Sequence, residues 1–399
     1  MIKKSLANVS FVGIGNAINA ALNFAFIIAI ANTLSLEDFG RYALLTTLLI
    51  TISRLTDFGT NSVYVAKSIV IGKESLTDAF YSLKILLLLL AIPVSLIILL
   101  SFKFNDLLLI VLFILGLLAY LINYTLLAIF QKSESFGKLV LTNLLPSIIK
   151  GIFAIFLFTN LVTLNLYEAF SVFSLAVFSS AFFLILLEEN QKRFTFVPKK
   201  VLPILKQAYP GGISQLIQEG WPSLNTSITK VAKDFTDVGI FSLADKISRT
   251  FSIAATSIFT VLLPKSARRK RKKEGYDFKE ITLLSVLTLV LAALTIVIVK
   301  FFMPIVFGNK FDESITLLST LIFAAAFTAI HVFIEHIFYV EEKTKYIMYI
   351  NVGKLVIFLL FTTLLIPTYS LYGLALSNLI AGVFGVAITI FFVKFSRSF

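Results

Sequence analysis

The chain has 399 residues, of which 58% are hydrophobic and 14% charged, with 41 Phe and a mean hydropathy of +0.94. An ordinary soluble domain carries about 25% charged residues, so too little polar surface is present to cover a soluble fold. This excludes a soluble enzyme and a disordered chain, and the continuous rather than alternating apolar runs exclude an outer-membrane barrel. A net charge of +13 then poses a question of placement across a bilayer. Without cysteine there is no disulfide, thiolate metal site or cysteine nucleophile.

Apolar windows of about 20 residues predict twelve helices. The first, 10–32, follows Lys3 and Lys4. It is as long as the later ones and lacks a small-residue cleavage site, so it reads as a span and not as a cleaved signal peptide. The second, 40–65, takes in Arg54 and Asp57 towards its end. Four uninterrupted spans follow at 84–102, 107–130, 139–159 and 168–187. The seventh, 207–229, is broken up by Gly211, Gly212, Gly220 and Pro222. The eighth, 237–263, leads into the basic run Arg268–Lys273, which reads as a cytoplasmic anchor attracted to anionic lipid. The last four are 281–303, 314–340, 346–366 and 373–393.

Twelve spans put both termini on one side. Lys and Arg on that side outnumber those opposite roughly fourfold, which makes it the cytoplasm. The fold class is therefore all-α, a polytopic membrane protein with six-helix lobes at 1–190 and 207–399 joined by a basic, Pro198-containing linker at 191–206. Loops are short, the longest being 188–206 and 264–280, and no G-x-x-x-x-G-K-[ST] occurs. These features argue against large catalytic loops, an ATPase of the chain's own and a nucleic-acid partner.

A short repeat supports the two halves. Asp38-Phe39-Gly40-Arg41-Tyr42 and Asp237-Val238-Gly239-Ile240-Phe241 both read Asp-x-Gly-x-aromatic, and each sits at the entry to the second helix of its half. Here Asp is expected to cap the helix, Gly to permit a tight turn and the aromatic to anchor at the interface. Six helices per half makes the lobes parallel repeats, suited to alternating access.

Leu34-Ser35-Leu36-Glu37-Asp38-Phe39-Gly40-Arg41-Tyr42 resembles the first-loop signature of bacterial polysaccharide and O-antigen flippases of the Wzx type, within the multidrug/oligosaccharidyl-lipid/polysaccharide (MOP) exporter superfamily. Asp57-Phe58-Gly59, Tyr209-Pro210 with Ile213-Ser214, and Val238-Gly239-Ile240-Phe241-Ser242 are similar to segments of that group. One departure stands out, because many relatives carry an aspartate where this chain has Asn225. The resemblance implies an inner-membrane transporter of undecaprenyl-diphosphate-linked oligosaccharide. Its cationic cavity would take the headgroup from the cytoplasm while the polyprenyl tail stays in lipid. Other polysaccharide-assembly membrane proteins are implied as partners.

Charges within spans are expensive and face interiors or wet cavities. The basic set is Arg54, Lys150, Lys246, Arg249 and Lys354, expected to bind substrate; the acidic set is Asp57, Glu219, Asp245 and Glu335. Lys246 and Arg249 share a helix face and are placed to meet a diphosphate, unless Asp245 neutralises Arg249. Arg54 and Asp57 are expected to form a structural or gating pair. Glu219, beside Gly220-Trp221-Pro222, together with Asp57, Asp245, Glu335 and His331, is assigned to coupling or gating by protons or sodium. His331, Glu335 and His336 do not form H-E-x-x-H or H-x-x-E-H, so no zinc site, catalytic residue or cofactor is expected. Two rival functions remain, a drug or metabolite antiporter of the same superfamily and a non-transporting scaffold.

Overall fold

The computed structural model describes residues 2–71, 75–186, 195–256, 278–341 and 343–395. The described residues fold into helices that gather into two compact units, Met1–Ser223 and Leu224–Phe399. The first contains α1 (Ile2–Thr33), α2 (Leu36–Asp57), α3 (Thr60–Ile71), α4 (Ser75–Ser101), α5 (Leu107–Lys132), α6 (Phe136–Phe158) and α7 (Leu166–Leu186). A short 3-10 turn at Pro198–Lys200 leads into α8 (Leu202–Ala232), whose last turns belong to the second unit. That unit continues with α9 (Phe235–Thr256), α10 (Phe278–Phe307), a 3-10 turn at Gly308–Phe311, α11 (Asp312–Val340) and α12 (Thr344–Phe395). Within α12 the backbone turns sharply at Ser370 (φ 54°, ψ −133°), three residues after Pro367, so α12 supplies two spans. With α2 and α3 taken as one interrupted span, the described helices make the expected twelve.

Seven described segments are long and apolar enough to cross a membrane, and two of them, Ile281–Glu335 and Lys345–Lys394, are long enough to cross twice. The helices outside that set are α2 with α3, α8 and α9. These are the ones carrying Arg54, Asp57, Glu219, Asp245, Lys246 and Arg249. Their polarity is concentrated at a few positions, and in α2 it is tolerated because the surroundings are protein. Most of α2 is buried, including Leu44, Leu45, Leu49 and Ile52, where α4, α5 and α7 surround it.

The caps correct one sequence expectation. Asp38 does not cap α2. Ser35 does, accepting from the Asp38 backbone N–H at 3.1 Å, with Asp38 at the third helical position. The second half repeats this, as Asp234 accepts from the Asp237 N–H at 3.0 Å. The repeat is thus longer than its visible motif. The glycines lie inside the first turns, and the aromatics are core residues, not interfacial anchors. Tyr42 is buried against Phe39 and Phe173, and Phe241 is fully buried.

The expected single helix at 40–65 is two helices. Phe58 adopts a left-handed conformation (φ 41°, ψ 41°), Gly59 follows at φ +72°, and α3 begins at Thr60. The cause is the close approach of α8. A Cβ on Gly59 would lie 2.8 Å from the Gly212 nitrogen, and one on Gly212 would lie 2.5 Å from the Phe58 carbonyl oxygen. Two glycines let two backbones touch, and positive φ suits a residue without Cβ.

A break inside a span must satisfy the backbone groups it releases. Asp57 accepts from the Asn61 N–H at 3.2 Å, and the Thr60 hydroxyl donates to the Asp57 carbonyl at 2.6 Å. Lys84 Nζ donates to the Thr56 carbonyl and to Asp57 Oδ1, both at 3.1 Å. The expected span 84–102 opens on Lys84 and so puts that charge at the membrane edge, but α4 starts at Ser75 and Lys84 is only 2% exposed. The structure corrects that placement, because the ammonium finds both a carboxylate and a released carbonyl inside the unit.

Two further segments differ from expectation. The span at 207–229 is the middle of a longer helix that continues through Pro210 and Pro222. The chain leading into α8 packs on α4, with Val201 and Ile204 against Ala79 and Leu83, and with the Val197 N–H bonded to Ser82 Oγ at 2.8 Å. In the second unit α11 is central, packed by α9, α10 and α12. Its core joins Ile281 of α10 to Ile334, Ile337 and Phe338 of α11 and Ile347 and Ile350 of α12. The basic run Arg268–Lys273 and the end of the expected helix 237–263 lie outside the described residues.

Gly212→Ala should destabilise the protein by about 1–3 kcal/mol, the usual cost of overpacking, read as a fall in midpoint on thermal unfolding in detergent. Gly211→Ala meets nothing within 4 Å and should leave the midpoint unchanged. Lys84→Met strands a buried carboxylate and should cost about 3–5 kcal/mol. Adding Asp57→Asn, which keeps the cap on α3, should restore most of that loss; a double variant no more stable than the single would show that the pair is not what holds the break.

Candidate functional site

Among the described residues four polar clusters lie within the spans, two in each unit. In the first, Asn19 and Asn23 of α1 stand one helical turn apart, facing Ser147 and Lys150 of α6. Asn23 Nδ2 donates to Ser147 Oγ at 2.6 Å and to Asn19 Oδ1 at 2.9 Å. Ser147 donates to Asn19 Oδ1, and the Lys150 ammonium donates to Asn23 Oδ1. Lys150 is 5% exposed and lies 5.0 Å from the Phe173 ring centroid. Neutral amide oxygens and an aromatic face thus receive its hydrogen bond and its charge, and the cation is fixed in place.

The second cluster joins α2, α5 and α8. Arg54 Nη2 lies 3.3 Å from Glu219 Oε1, with side chains 22% and 43% exposed. The guanidinium sits over Tyr124, 4.4 Å from the ring centroid, a cation–π geometry. Tyr120 lies beside Tyr124 at 5.7 Å, and Ser53 Oγ is 3.3 Å from the Tyr124 hydroxyl. The expected Arg54–Asp57 pair is not what forms. Asp57 takes Lys84, and Arg54 takes Glu219. One helical turn separates the two α2 residues, and the break at Phe58 turns Asp57 towards α3 and α4.

In the second unit, α9 brings Asp245 and Arg249 together at 2.7 Å. This is the neutralising pair weighed from the sequence, so Arg249 is committed to a carboxylate here. Asp245 also accepts from Asn225 Nδ2 at 3.1 Å, and Asn225 bonds reciprocally with Asn378 of α12 at 3.1 and 3.3 Å. Asn225 is fully buried and gives this network both a donor and an acceptor, where a carboxylate would accept only. Lys246 is half-buried and takes no carboxylate as a hydrogen-bonded partner among the described residues.

The fourth cluster lies between α11 and α12. His331, Glu335 and Lys354 are 1%, 2% and 7% exposed. His331 Nδ1 is 2.7 Å from Thr389 Oγ1, and the Thr389 hydroxyl donates to the Gly385 carbonyl at 2.5 Å. The hydroxyl proton is therefore spent, and Nδ1 is the donor to Thr389. In neutral His331, Nε2 is then a bare acceptor. It faces Glu335 Oε2 at 3.8 Å, and both Nε2 and Glu335 Oε1 are buried without a hydrogen-bond partner. Lys354 acts electrostatically on both groups, and its stem packs where a Cβ on Gly385 would come within 2.8 Å of its Cδ. Among the described residues no three His, Asp or Glu side chains converge to hold a metal.

Sequence reasoning missed Lys84, the Asn19–Asn23–Ser147 set, Tyr120 and Tyr124. The spacings Asn19-x-x-x-Asn23 and Ser147-x-x-Lys150 were signals, since each pair stacks on one helix face. Lys84 carried none, because a lysine opening an apolar run reads as an interfacial charge.

Solved structures show the same fold. The chain resembles an inward-facing multidrug resistance MATE family transporter of the MOP superfamily (TM-score 0.73, 15% identity, 95% of this chain and 94% of that one). It also resembles the lipid II flippase MurJ in an inward closed conformation (TM-score 0.74, 15% identity, 96% and 87%). An outward-facing MATE family transporter of the MOP superfamily matches at TM-score 0.59 and 16% identity over 99% of this chain and 96% of that one. Among curated proteins none matches. The fold is thus that of MOP-superfamily transporters and flippases, in a multi-pass membrane protein. The family described as "Polysaccharide biosynthesis protein" matches residues 5–270, most of the chain, and the chain belongs to that family.

Proposed function

We propose that the protein is a secondary transporter that flips a lipid-linked oligosaccharide, carried on a polyprenyl diphosphate, across the bacterial cytoplasmic membrane by alternating access. Both termini face the cytoplasm, and surface polysaccharide assembly receives the product. Family membership and the MOP fold support the class. The observation that carries the substrate reading is Arg54, a partly open guanidinium inside a span, stacked on Tyr124. Placing such a charge within the bilayer costs about 2.5–3.5 kcal/mol on insertion scales, and a fold keeps it where an anion is to be met. Lys150 and Lys246 add cationic groups in their own units. A diphosphate suits arginine's paired donors and lysine's point charge.

Replacing Arg54, Lys150 and Lys246 together by Gln should abolish export while the protein still inserts at wild-type levels. Lipid-linked sugar should then accumulate on the cytoplasmic leaflet. Normal export in that variant would defeat the cationic-site reading.

The coupling ion we assign is the proton, at His331–Glu335–Lys354. Two buried acceptors face each other across 3.8 Å, and one proton on either resolves the conflict. A proton needs one acceptor, whereas a hard cation such as sodium needs several oxygen ligands, and here a ring nitrogen faces a single carboxylate. Glu335→Gln should bring proton-gradient-driven transport in proteoliposomes down to background while headgroup binding persists. Transport driven by a sodium gradient in the wild type would overturn the assignment.

A further inference from the structure

The Arg54–Glu219 pair differs from the other ion pairs inside the spans. Lys84–Asp57 is sealed, with side chains 2% and 5% exposed, and Arg249–Asp245 is short at 2.7 Å. Arg54 reaches Glu219 through one nitrogen at 3.3 Å, and the Glu219 side chain is 43% exposed. The Arg54 Nε is buried with no hydrogen-bond partner. A five-donor fork is therefore engaged by one carboxylate oxygen, although carboxylates and phosphates can take it two-pronged. The pair is not needed to join α2 to α8, because the Gly59–Gly212 backbone contact already does so, and Gly220 abuts Thr51 of α2. An open carboxylate resting on an aromatic-stacked arginine is a weakly held anion on a site built for a stronger one.

We propose that Glu219 is the resident anion of an oxyanion subsite on Arg54, and that it sets a charge threshold for the cargo. A diphosphate brings several oxygens and at least two negative charges, so it displaces the carboxylate and takes the guanidinium by two donors. A monophosphate offers a smaller gain over the carboxylate and is held back by it. Glu219 is then a specificity-determining residue that selects the activated, diphosphate-linked lipid over its monophosphate. Displacement also detaches α8 from Arg54 at a point three residues before Pro222, where the helix already lacks a backbone donor. The inference rests on the proposed diphosphate-linked cargo.

The test titrates the full chain in lipid nanodiscs with farnesyl diphosphate and farnesyl monophosphate, followed by calorimetry and by the fluorescence of Trp221. That residue is the chain's single tryptophan and lies two positions from Glu219. Wild type should prefer the diphosphate by about tenfold. Glu219→Gln should bind the monophosphate about fivefold more tightly, the scale of an open ion pair, and so narrow the preference. Glu219→Asp should keep the wild-type preference, and Arg54→Gln should lose both ligands. Unchanged or weaker monophosphate binding by Glu219→Gln, with wild-type thermal stability, overturns the threshold while leaving the cargo reading standing. If neither wild type nor Glu219→Gln binds the diphosphate, the cargo reading fails as well. Glu219→Ser repeats the comparison should the glutamine variant not fold.

Discussion

A helix interrupted inside a bilayer has to satisfy every backbone group it releases, and the first unit is arranged around that requirement. The interruption at Phe58 and Gly59 places two backbones in contact, so glycine is required on both sides. It frees the carbonyls at the end of α2, and Thr60 and Lys84 answer them. Lys84 in turn needs a counter-charge, which Asp57 supplies while capping α3. None of these residues can change alone. Arg54 sits one turn before the break, so the same arrangement fixes where its guanidinium emerges and which ring it stacks on.

The charges inside the spans fall into two physical kinds. Lys84–Asp57 is sealed from solvent and multiply bonded, which makes it a structural element whose loss exposes an uncompensated ion. Arg249–Asp245 is similarly committed and is tied through Asn225 to Asn378. Arg54–Glu219 is open, and half-buried Lys246 takes no bonded carboxylate among the described residues. Only the second kind can exchange partners without unfolding its surroundings, because an ion pair near solvent is worth little. A transport cycle needs groups that let go.

The architecture was legible because span length is fixed by the bilayer. Apolar runs of about 20 residues located α5 to α7, α10, α11 and both parts of α12 within a few residues but began α4 nine residues late, at Lys84 instead of Ser75, and the turn near Ser370 fell between the two predicted spans. The failures have a common cause. The broken second helix, the buried Lys84 and the α1–α6 network depend on a neighbour distant in sequence, as Gly212 is from Gly59 and Ser147 from Asn23. No local window contains both partners. Charge identity was likewise visible and charge pairing was not. Asp245 with Arg249, four apart on one helix, was foreseen; Asp57 with Lys84, across helices, was not.

The two halves share an entry motif but have diverged in what they hold. Ser35 and Asp234 cap equivalent helices, and α2 and α9 are each described over 22 residues. The first unit keeps Arg54 and Lys150 over aromatic rings, a setting that suits an anion. The second keeps a histidine, a glutamate and a lysine buried together, a setting that suits a proton. In the proposed cycle the two events depend on each other, and α8 is the one described helix whose residues belong to both units. It carries Glu219 on one side of Pro222 and Asn225 on the other. Glu219 forms an open ion pair in the first unit, and Asn225 is bonded to Asp245 and Asn378 in the second, so one helix carries both an exchangeable contact and a fixed one.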